Sequence, residues 1–576
     1  MRHLLQSLRR YKKESILAPL FKMLEALLDL TVPLVMANII NRGIATGNIH
    51  FILSQCGLLV LLAVVGTSCS LTAQYFAAKA AVGCSADLRR QLFAKVQSLD
   101  AAQIDAVGTS TLITRLTSDI NQVQNGVNMF LRLFLRSPFI VFGALILSFV
   151  ISPKAGGIFS IIVLVLFVIV FGLMAWTSPH YKKIQAKLDT VLSITRENLT
   201  GVRVVRAFDQ QDAETKRFSD ANRMLTTAQL RVGRISAMLN PMTFLVINLG
   251  VIAVLQTGAS QVNGGLLLSG DVIALINYLS QILVELVKMA NTIVLISKAS
   301  ACMGRVSAVL DTPEGMAFLD TSAPEKSSAP AVQFDHVSLT YPNAGEKSLD
   351  DISFTALRGQ TIGVIGGTGS GKSSLVKLIS RMYDATAGEV QLMGNSISRW
   401  SQTDLRHMVG VVPQNAQLFS GTVRTNLLWG NAEAEDANLW SALETAQAAE
   451  FVRRAPLGLD SPIEQGGRNL SGGQRQRLTL ARALVGKPDI LLLDDCASAL
   501  DFATDAALRK ALTKLPGKMT IFIISQRTAS LQHADQILVL DDGALVGCGT
   551  HTALLKNCPV YQEIYQSQFQ GGGTRT

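Results

Sequence analysis

Charged side chains are scarce in this sequence. Asp, Glu, Lys and Arg make up 16% of the 576 residues, whereas hydrophobic residues make up 48%, and the mean hydropathy is +0.32. Soluble globular proteins carry about 25% charged residues. The composition therefore excludes an ordinary soluble protein and indicates a membrane protein.

Cysteine is also sparse, and the sequence lacks the pattern of a cleavable secretion signal. The seven cysteines form no C-x-x-C pair, so we expect neither a metal site nor disulfides. No small-residue cleavage site follows a short apolar core, so we expect no cleavable signal peptide. The net charge of +10 suits either nucleic acid binding or the cytoplasmic loops of a membrane protein, which collect Lys and Arg.

Six hydrophobic segments occupy the first half of the chain. The fourth, Ile158–Trp176, carries no charged residue and as a helix would measure about 28 Å, enough to cross the hydrocarbon core. Polar and glycine residues around 256–258 and 263–265 separate the last two segments. The predicted spans run near 15–40, 51–78, 129–152, 158–176, from 235 to this break, and 266–297.

The connections between the spans alternate in length and charge. The links after the second and fourth spans are long and rich in Lys and Arg, which places them and both termini in the cytoplasm. Their helical periodicity predicts helices that continue beyond the bilayer. Basic and leucine residues interleave in 1–13, which predicts an amphipathic helix on the inner membrane surface, with a solvated basic tail as the alternative.

Residues 312–330 contain three prolines, a glycine and three serines, which predicts a linker. After it, short β-branched runs alternate with helical segments, as in a soluble α/β domain. We therefore predict an amphipathic helix at 1–13, a transmembrane domain of six α-helices at 14–311, a linker at 312–330 and an α/β nucleotide-binding domain at 331–576.

A phosphate-binding loop of the form G-x-x-x-x-G-K-[ST] is matched by Gly366-Gly367-Thr368-Gly369-Ser370-Gly371-Lys372-Ser373. The loop lies between a predicted strand, Thr361–Ile365, and a helix predicted to begin at Ser374 and to end at Tyr383. Glycines let backbone N–H groups close on phosphate oxygens. Lys372 would reach the β- and γ-phosphates and Ser373 the Mg²⁺, and Ser374 is the last predicted ATP-binding residue of this segment. ATP and Mg²⁺ are therefore the expected cofactors, and a chance glycine turn is the weaker alternative.

Two single residues extend this prediction. Tyr341, ahead of the loop, could stack on adenine, although a strand tyrosine is more often a packing residue. Gln414 follows the strand end Val411-Val412-Pro413 and could touch Mg²⁺.

Two segments further along the chain carry phosphate and metal chemistry. A helix predicted at Arg475–Leu484 is preceded by Leu470-Ser471-Gly472-Gly473-Gln474, which can form a second anion site, with a plain helix cap as the alternative. The apolar run 490–493 ends in Asp494, which would hold Mg²⁺ through water. Asp495 follows it, in the position of a water-activating base.

Together these motifs resemble the ATP-binding cassette (ABC) family. The segment 470–474 is similar to the family signature, and Ser498-Ala499-Leu500-Asp501 is similar to its D-loop. The membrane half resembles an ABC exporter, with Asp105–Asp119 and Glu197–Phe208 in its two intracellular loops. The resemblance implies a half-transporter: two chains pair, and each ATP is held by the glycine loop of one chain and the signature of the other. It also implies that Tyr341 stacks on adenine.

Two positions depart from the family pattern. Asp495 stands where the general base is usually Glu, and Gln526 stands where the switch residue is usually His. The Asp carboxylate falls back by roughly 1.5 Å, and a misplacement near 1 Å can cost about a hundredfold in rate. Gln526 can hydrogen-bond a γ-phosphate oxygen but cannot carry a charge. The combination resembles the degenerate subunit of heterodimeric bacterial multidrug exporters, which implies a non-identical partner with the intact Glu and His.

The sequence thus predicts ATP-driven export of a drug, lipid or peptide of hydrophobic or amphipathic character. The chain would cross the bacterial cytoplasmic membrane several times, with the nucleotide-binding domain in the cytoplasm. Glu25, Asp29 and Glu285 are candidate residues of the substrate cavity, with Arg132 and Arg136 as offsetting charges.

Three other functions are alternatives to ATP-driven export. An importer built on the exporter fold and an ATP-gated regulatory subunit are alternatives that the sequence leaves open. A soluble ATPase acting on nucleic acid is excluded by the six spans, and no nucleic acid partner is expected.

Overall fold

A computed structural model describes residues 1–313, 315–318, 329–342, 344–496, 500–513 and 519–569, without the side chains of residues 502 and 569. Over this part of the chain the residues form two compact units. One comprises Met1–Gln97 and Ser110–Thr312, and the other comprises Ser98–Thr109 and Pro313–Thr576. The units are described separately below.

Six helices among the described residues are long and apolar enough to cross a membrane. They have 42 to 53 residues, which corresponds to about 63–80 Å, well beyond the roughly 30 Å of a hydrocarbon core. The predicted continuation of the helices past the bilayer is thus confirmed. The six run Arg2–Ile44, Ile49–Ser98, Thr109–Ile151, Pro153–Thr200, Gln211–Asn263 and Ser269–Leu310, and are called the first to sixth spanning helices.

Several of these helices are interrupted by short wider or tighter turns. π-helical segments occur at Ile39–Ile44, Arg115–Asp119 and Phe130–Phe134. The component α-helices run Arg2–Leu8, Lys12–Asn38, Ile49–Ser98, Ala101–Val107, Thr109–Thr114, Ile120–Met129, Arg136–Ile151, Pro153–Thr200, Val202–Ala207, Gln211–Ala237, Leu239–Asn263 and Ser269–Leu310.

Local sequence explains where the fourth spanning helix begins. Ser152 is the N-cap residue, and its side chain accepts a hydrogen bond from the backbone N–H of Ala155 at 3.3 Å. Pro153 follows at the first helical position, where its missing N–H costs nothing. This turn separates the third and fourth spans at 152, in agreement with the prediction.

The N-terminal segment is shorter than the predicted amphipathic helix. The α-helix ends at Leu8, a 3₁₀ turn covers Arg9–Tyr11, and the next α-helix begins at Lys12 and runs into the first span. The ring nitrogen of His3 lies 2.7 Å from a carboxylate oxygen of Asp311, at the end of the sixth spanning helix. This contact holds the N-terminal segment beside that helix end.

The second unit is built on twelve strands, all from the described residues after 331. They form a four-stranded sheet in the order β2-β1-β4-β5, a six-stranded sheet in the order β12-β11-β3-β10-β9-β6, and the pair β7-β8. The strands are β1 Val332–Leu339, β2 Leu349–Ala356, β3 Thr361–Gly366, β4 Ala387–Leu392, β5 Asn395–Ser396, β6 Val409–Val412, β7 Gly421–Thr422, β8 Pro462–Ile463, β9 Ile490–Asp494, β10 Thr520–Ile524, β11 Gln536–Asp541 and β12 Ala544–Gly549.

The six-stranded sheet is parallel except at its β12 edge. In its centre, Ile524 of β10 pairs with Val364 of β3 on one side and with Asp494 of β9 on the other. The carboxyl ends of these three neighbouring strands therefore meet at one edge of the sheet. Ligands of open α/β sheets bind at this edge, because the loops that leave it converge there.

Helices and the antiparallel sheet cover the parallel sheet. The rings of Phe354, on β2, and Phe522, on β10, pack edge to face at 6.3 Å between centroids, within one buried core. The α-helices of this unit run Lys372–Ile379, Gln402–Met408, Val423–Leu427, Asp436–Thr445, Ala449–Arg454, Gly472–Val485, Phe502–Leu512, His551–Asn557 and Pro559–Phe569. The predicted helix at 374–383 thus begins two residues earlier and ends at Ile379.

Residues 98–109 group with the second unit although they lie within the predicted transmembrane range 14–311. Asp100 caps the helix Ala101–Val107 by accepting from the N–H of Gln103 at 2.8 Å, and its second oxygen accepts from the N–H of Met316 at 3.2 Å. The hydroxyl of Tyr383 donates to Asp105 at 2.6 Å. Residues 98–109 of this first intracellular segment therefore contact residues of the nucleotide-binding domain within the second unit.

Candidate functional site

The glycine loop leaves the carboxyl end of β3 and leads into the helix Lys372–Ile379. Gly371 has φ +93°, and a Cβ atom there would lie 2.6 Å from the carbonyl oxygen of Ser348. At Gly366 a Cβ atom would lie 2.1 Å from the carbonyl oxygen of Leu540. Only glycine fits these two positions, so the loop can wrap closely around a phosphate.

The Lys372 side chain is directed onto the loop itself. Its ammonium group donates to the carbonyl oxygens of Gly366, at 3.0 Å, and of Gly367, and to the hydroxyl of Ser370 at 3.3 Å. Burial lowers the pKa of Lys372, because a half-buried cation loses hydration. A phosphate oxygen would replace these acceptors and favour the charged form.

The carboxylates at the end of β9 lie opposite the loop. The Ser373 hydroxyl donates to Asp494 at 3.4 Å, and the Gln414 amide donates to Asp495, also at 3.4 Å. Burial raises the pKa of Asp494, with the neighbouring Asp495 adding to the shift, while the bond from Ser373 opposes it. A buried carboxylate of this kind favours a bound cation.

The oxygen atoms of Ser373, Asp494 and Gln414 suit Mg²⁺, which prefers hydroxyl, carboxylate and amide oxygens. Among the described residues no cluster of three or more His, Cys, Asp or Glu side chains could hold a metal by itself. Ser373, Gln414 and Asp494, the last through water, would hold the metal beside the phosphates of a bound nucleotide.

The switch segment follows β10 and lines the same space. The N–H of Ser525 donates to the carbonyl of Val364 at 3.1 Å, which fixes Gln526 beside the loop. Gln568, on the C-terminal helix, donates to the carbonyl of Gln526 at 2.7 Å and accepts from the N–H and hydroxyl of Thr528, both at 2.9 Å. Sequence reasoning missed Gln568, because no motif marks a residue that touches only the backbone and a threonine.

These elements enclose a cavity of about 280 Å³. Its lining brings together eight predicted residues, with Ser348, Ile524 and Ser525 as additions that the motifs did not mark. The predicted ones are Thr368, Gly369, Gly371, Lys372, Ser373, Ser374, Gln414 and Asp494, and the two substituted positions, Asp495 and Gln526, line it as well.

Asp495 adopts a left-handed backbone conformation, with φ +47°. Its N–H donates to the carbonyl of Ile524 at 3.0 Å, so the turn after β9 is tied to the end of β10. Aspartate is several-fold enriched in this conformation, because its short polar side chain can hydrogen-bond locally. The substitution at the base position therefore suits the backbone that it occupies.

Tyr341 lies beside the loop but does not line this cavity. Its hydroxyl is 2.9 Å from the hydroxyl of Ser374, its ring packs edge to face with Tyr383 at 4.9 Å, and the Lys377 ammonium is 4.9 Å from its centroid. The tyrosine is thus a packing residue in this structure, and its predicted stacking on adenine stays a prediction.

The signature segment lies away from the cavity of its own chain. Ser471 caps the helix Gly472–Val485: its hydroxyl accepts from the N–H of Gln474 at 3.3 Å, and its N–H donates to the Gln474 side chain at 2.9 Å. Ser471 and Gly472 are exposed. The helix start therefore presents its N–H groups and hydroxyl to the outside, where an anion from another molecule can reach them.

The D-loop is described only in part. Ser498 and Ala499 lie outside the described residues, Leu500 is buried, and Asp501 caps the helix Phe502–Leu512 by accepting from the N–H of Thr504 at 2.8 Å. Hydrogen bonds from Thr504 lower the pKa of Asp501. The described half of this segment thus performs a capping function.

The three acidic residues predicted in the membrane half meet at Arg136. The guanidinium lies 2.8 Å from Asp29, 2.5 Å from Glu285 and 3.9 Å from Glu25. Glu25 forms a closer pair with Lys22 at 2.6 Å, and Lys288 pairs with Glu285 at 3.0 Å. The acidic charge is therefore offset by neighbouring cations.

A cavity of about 490 Å³ lies beside this network. Asp29, Glu285, Arg136 and Lys288 line it, whereas Glu25 does not. Two acidic and two basic side chains therefore balance in this lining. Arg132, the other expected offsetting charge, contacts Gln74 at 3.1 Å instead.

Comparison with known proteins bears on both units. The family model described as the ABC transporter transmembrane region matches residues 15–286, and the model described as ABC transporter matches residues 349–498. An uncharacterized ABC transporter ATP-binding protein of Mycobacterium tuberculosis is 34% identical over 98% of this chain and 97% of its own length. The chain belongs to the ABC transporters.

Two further similarities agree with this family. An uncharacterized ABC transporter ATP-binding protein of Bacillus subtilis is 34% identical over the full length of both chains. A solved structure of a bacterial Atm1-family ABC exporter with ATP bound has a TM-score of 0.79 and 23% identity, over 98% of this chain and 99% of that one. At that identity the match establishes the fold.

The predicted fold class and family are thus confirmed. The protein is a half-transporter of the ABC exporter type, with a transmembrane region of six apolar helices among the described residues and an ATP-binding domain in one chain. It is a multi-pass membrane protein whose nucleotide-binding domain is cytoplasmic. As in ABC transporters generally, this domain binds ATP and couples its hydrolysis to transport.

The contacts of Gln568 predict a local change in this transporter. In Gln568→Ala the Thr528 amide loses its acceptor, and we expect it to exchange hydrogen about fivefold faster, because one net hydrogen bond is worth about 1 kcal/mol. Hydrogen–deuterium exchange on peptides that cover 525–529 measures this. Gln562→Ala, on the same helix and bonded to Leu555, is the matched control. Equal acceleration in both variants would mean that the helix detaches as a whole and would contradict the local role.

The Arg136 network predicts a loss of stability on truncation. Arg136→Met leaves the half-exposed Asp29 without its partner and removes one of two basic partners of the buried Glu285, so the cost should lie below the about 3–5 kcal/mol of a fully buried pair. We expect a clearly lower melting temperature for the detergent-purified chain. Arg132→Met, which removes only the contact with Gln74, should lower it much less. Equal shifts would contradict the network's contribution.

Proposed function

We propose that this chain is one half of a heterodimeric exporter, and that its own glycine loop retains ATP while the partner's loop hydrolyses it. The observation that carries the proposal is that Asp495 and Gln526, the two departures from the family pattern, line one cavity together with the glycine loop. Because both substitutions lie at a single nucleotide site, both would slow ATP hydrolysis there.

The binding half of this site is complete. Lys372 supplies a cation for the β- and γ-phosphates. Ser373 supplies an oxygen atom at the start of the helix Lys372–Ile379, and Asp494 supplies one at the end of β9. Mg²⁺, when bound, would neutralise phosphate charge. These groups are suited to phosphate and metal, which supports the proposal that this site retains ATP.

The hydrolytic half is weaker. The Asp495 side chain is one methylene shorter than that of Glu. The left-handed backbone at this residue fixes the direction in which the side chain leaves the main chain. A general base needs hydrogen-bond distance to the attacking water, and a shortfall near 1 Å costs about a hundredfold. Gln526 can orient a phosphate oxygen, but it lacks the charge that a protonated His would offer to the transition state.

The signature of this chain would serve the other site. Ser471 and Gly472 are exposed at a helix start and are absent from the lining of their own cavity. An intact signature offered to a partner with the usual Glu and His would complete a competent site there. ATP held at the weak site would keep the two nucleotide-binding domains together by mass action during that turnover.

The substrate in this proposal is a small amphipathic molecule. The balanced charges of Asp29, Glu285, Arg136 and Lys288 give the membrane cavity polar contacts without a net preference for cations. Transport into inside-out vesicles made with both chains tests the direction: uptake driven by ATP supports export. Release from preloaded vesicles would favour the importer, and ATP turnover without movement of any compound would favour the regulatory subunit.

The paired substitution Asp495→Glu with Gln526→His tests the weak site. In a complex with the partner, we expect hydrolysis at this chain's site to rise, by up to about a hundredfold, because the base and the switch charge are restored. The left-handed position disfavours Glu by about 1 kcal/mol, which reduces the gain. ATPase rates are measured with the partner's base residue removed, so that only this site turns over.

Lys372→Ala in the same background is the matched control. It removes the phosphate contact and should abolish the gain. No change in rate after the paired substitution would count against the proposal. So would a stable dimer of this chain alone with full ATPase activity.

A further inference from the structure

A second cavity in the membrane unit, of about 550 Å³, lies beside the N-terminal segment. Three elements enclose it: the N-terminal segment up to Ile16, the third spanning helix between Val123 and Leu131, and the sixth spanning helix between Ile296 and Ser300. It is separate from the cavity at Arg136. No motif pointed to it.

The walls of this cavity are apolar along most of their length. Leu4, Leu5 and Leu8 of the N-terminal segment line it together with Val127 and Phe130 of the third spanning helix. The third and sixth spanning helices touch closely behind it, where a Cβ atom at Gly126 would lie 2.1 Å from that of Ala299. The result is a groove with a closed floor that suits a hydrocarbon chain.

The cavity also has a polar and positively charged part of its lining. Arg9, Lys12 and Ser15 belong to it, and no acidic side chain is among the residues that line the cavity. Within the described residues neither Arg9 nor Lys12 has an ion-pair partner, whereas the neighbouring Arg10 pairs with Asp87 at 3.3 Å. The two cations in the groove are thus available to an anion.

The Ser15 hydroxyl gives an independent indication of a ligand. Its oxygen is buried and has no hydrogen-bond partner in the described part of the chain. A buried polar atom without a partner is costly, because its lost hydration is not replaced by another hydrogen bond. A ligand oxygen placed between Ser15 and the two cations would satisfy it.

We propose that this groove binds an anionic phospholipid of the cytoplasmic leaflet, with its phosphate on Arg9 and Lys12 and one acyl chain along the leucines. A free phosphate would leave the apolar groove unfilled, and an uncharged lipid would leave the two cations unpaired. The cytoplasmic leaflet carries anionic lipids, and the segment lies on that side, because the nucleotide-binding domain follows the sixth span.

The position of the groove places the lipid near the contact between the N-terminal helix and the end of the sixth spanning helix. His3, at the start of the N-terminal helix, contacts Asp311 at the end of the sixth spanning helix, at 2.7 Å. The lipid would therefore brace the N-terminal segment against the third and sixth helices where the latter leads toward the nucleotide-binding domain. This site is independent of the heterodimer proposed above.

Native mass spectrometry of the full-length chain tests the site. The purified protein is equilibrated with equal amounts of phosphatidylglycerol and phosphatidylcholine that carry identical acyl chains. We expect the wild type to retain phosphatidylglycerol preferentially. Arg9→Gln with Lys12→Gln should retain it roughly tenfold less, because each cation near an anionic headgroup contributes severalfold.

Arg2→Gln with Lys13→Gln is the matched control, since it removes the same charge from residues outside the groove. This control should retain phosphatidylglycerol as the wild type does. Equal loss in both double variants would show that general surface charge, and not the groove, holds the lipid. Equal retention of the two lipids by the wild type would also overturn the proposal.

A third variant keeps the test decisive if the double variant does not fold. Leu5→Trp fills the groove without changing its cations and should reduce the retention of both lipids. A melting temperature of the wild type that rises with added phosphatidylglycerol and not with phosphatidylcholine gives a second readout. Unchanged lipid retention in Leu5→Trp would contradict the assignment of the acyl chain to this groove.

Discussion

The parallel pairing of β10 with both β3 and β9 is the constraint on which the nucleotide site depends. Because Ile524 is in register with Val364 and Asp494, the glycine loop, Asp494 and Gln526 must emerge at the same edge. The bonds of Ser525 and Asp495 to neighbouring strand carbonyls continue that register into the loops. A change in any one strand would separate residues that act on one phosphate.

In the described part of the membrane half, the least exposed charged side chains around the cavity lie in compensated groups. Arg136 and Lys288 offset Asp29 and Glu285 around the cavity, and Lys22 offsets Glu25 nearby. Compensation makes such a site polar yet nearly neutral, which suits a transporter for amphipathic molecules. Arg9 and Lys12 are left uncompensated by protein, and in that respect they differ from the cations of the cavity.

Much of this could be predicted from the sequence, for physical reasons. Long uncharged segments give spanning helices, and glycine spacing gives the phosphate loop, because both depend on local residues. Gln568 and Ser348 could not be predicted, since their contacts depend on chain segments far apart in sequence. The left-handed backbone of Asp495 was not predicted, and residues 98–109 were assigned to the transmembrane range, because tertiary contacts decide both features.

The central claim is that this chain's glycine loop keeps ATP intact while its partner's site turns over. Photocrosslinking of a radiolabelled azido-ATP to the co-purified complex under turnover, followed by separation of the chains, identifies the nucleotide on each one. The account predicts mainly triphosphate on this chain and diphosphate on the partner. Diphosphate on both chains at equal rates would contradict it.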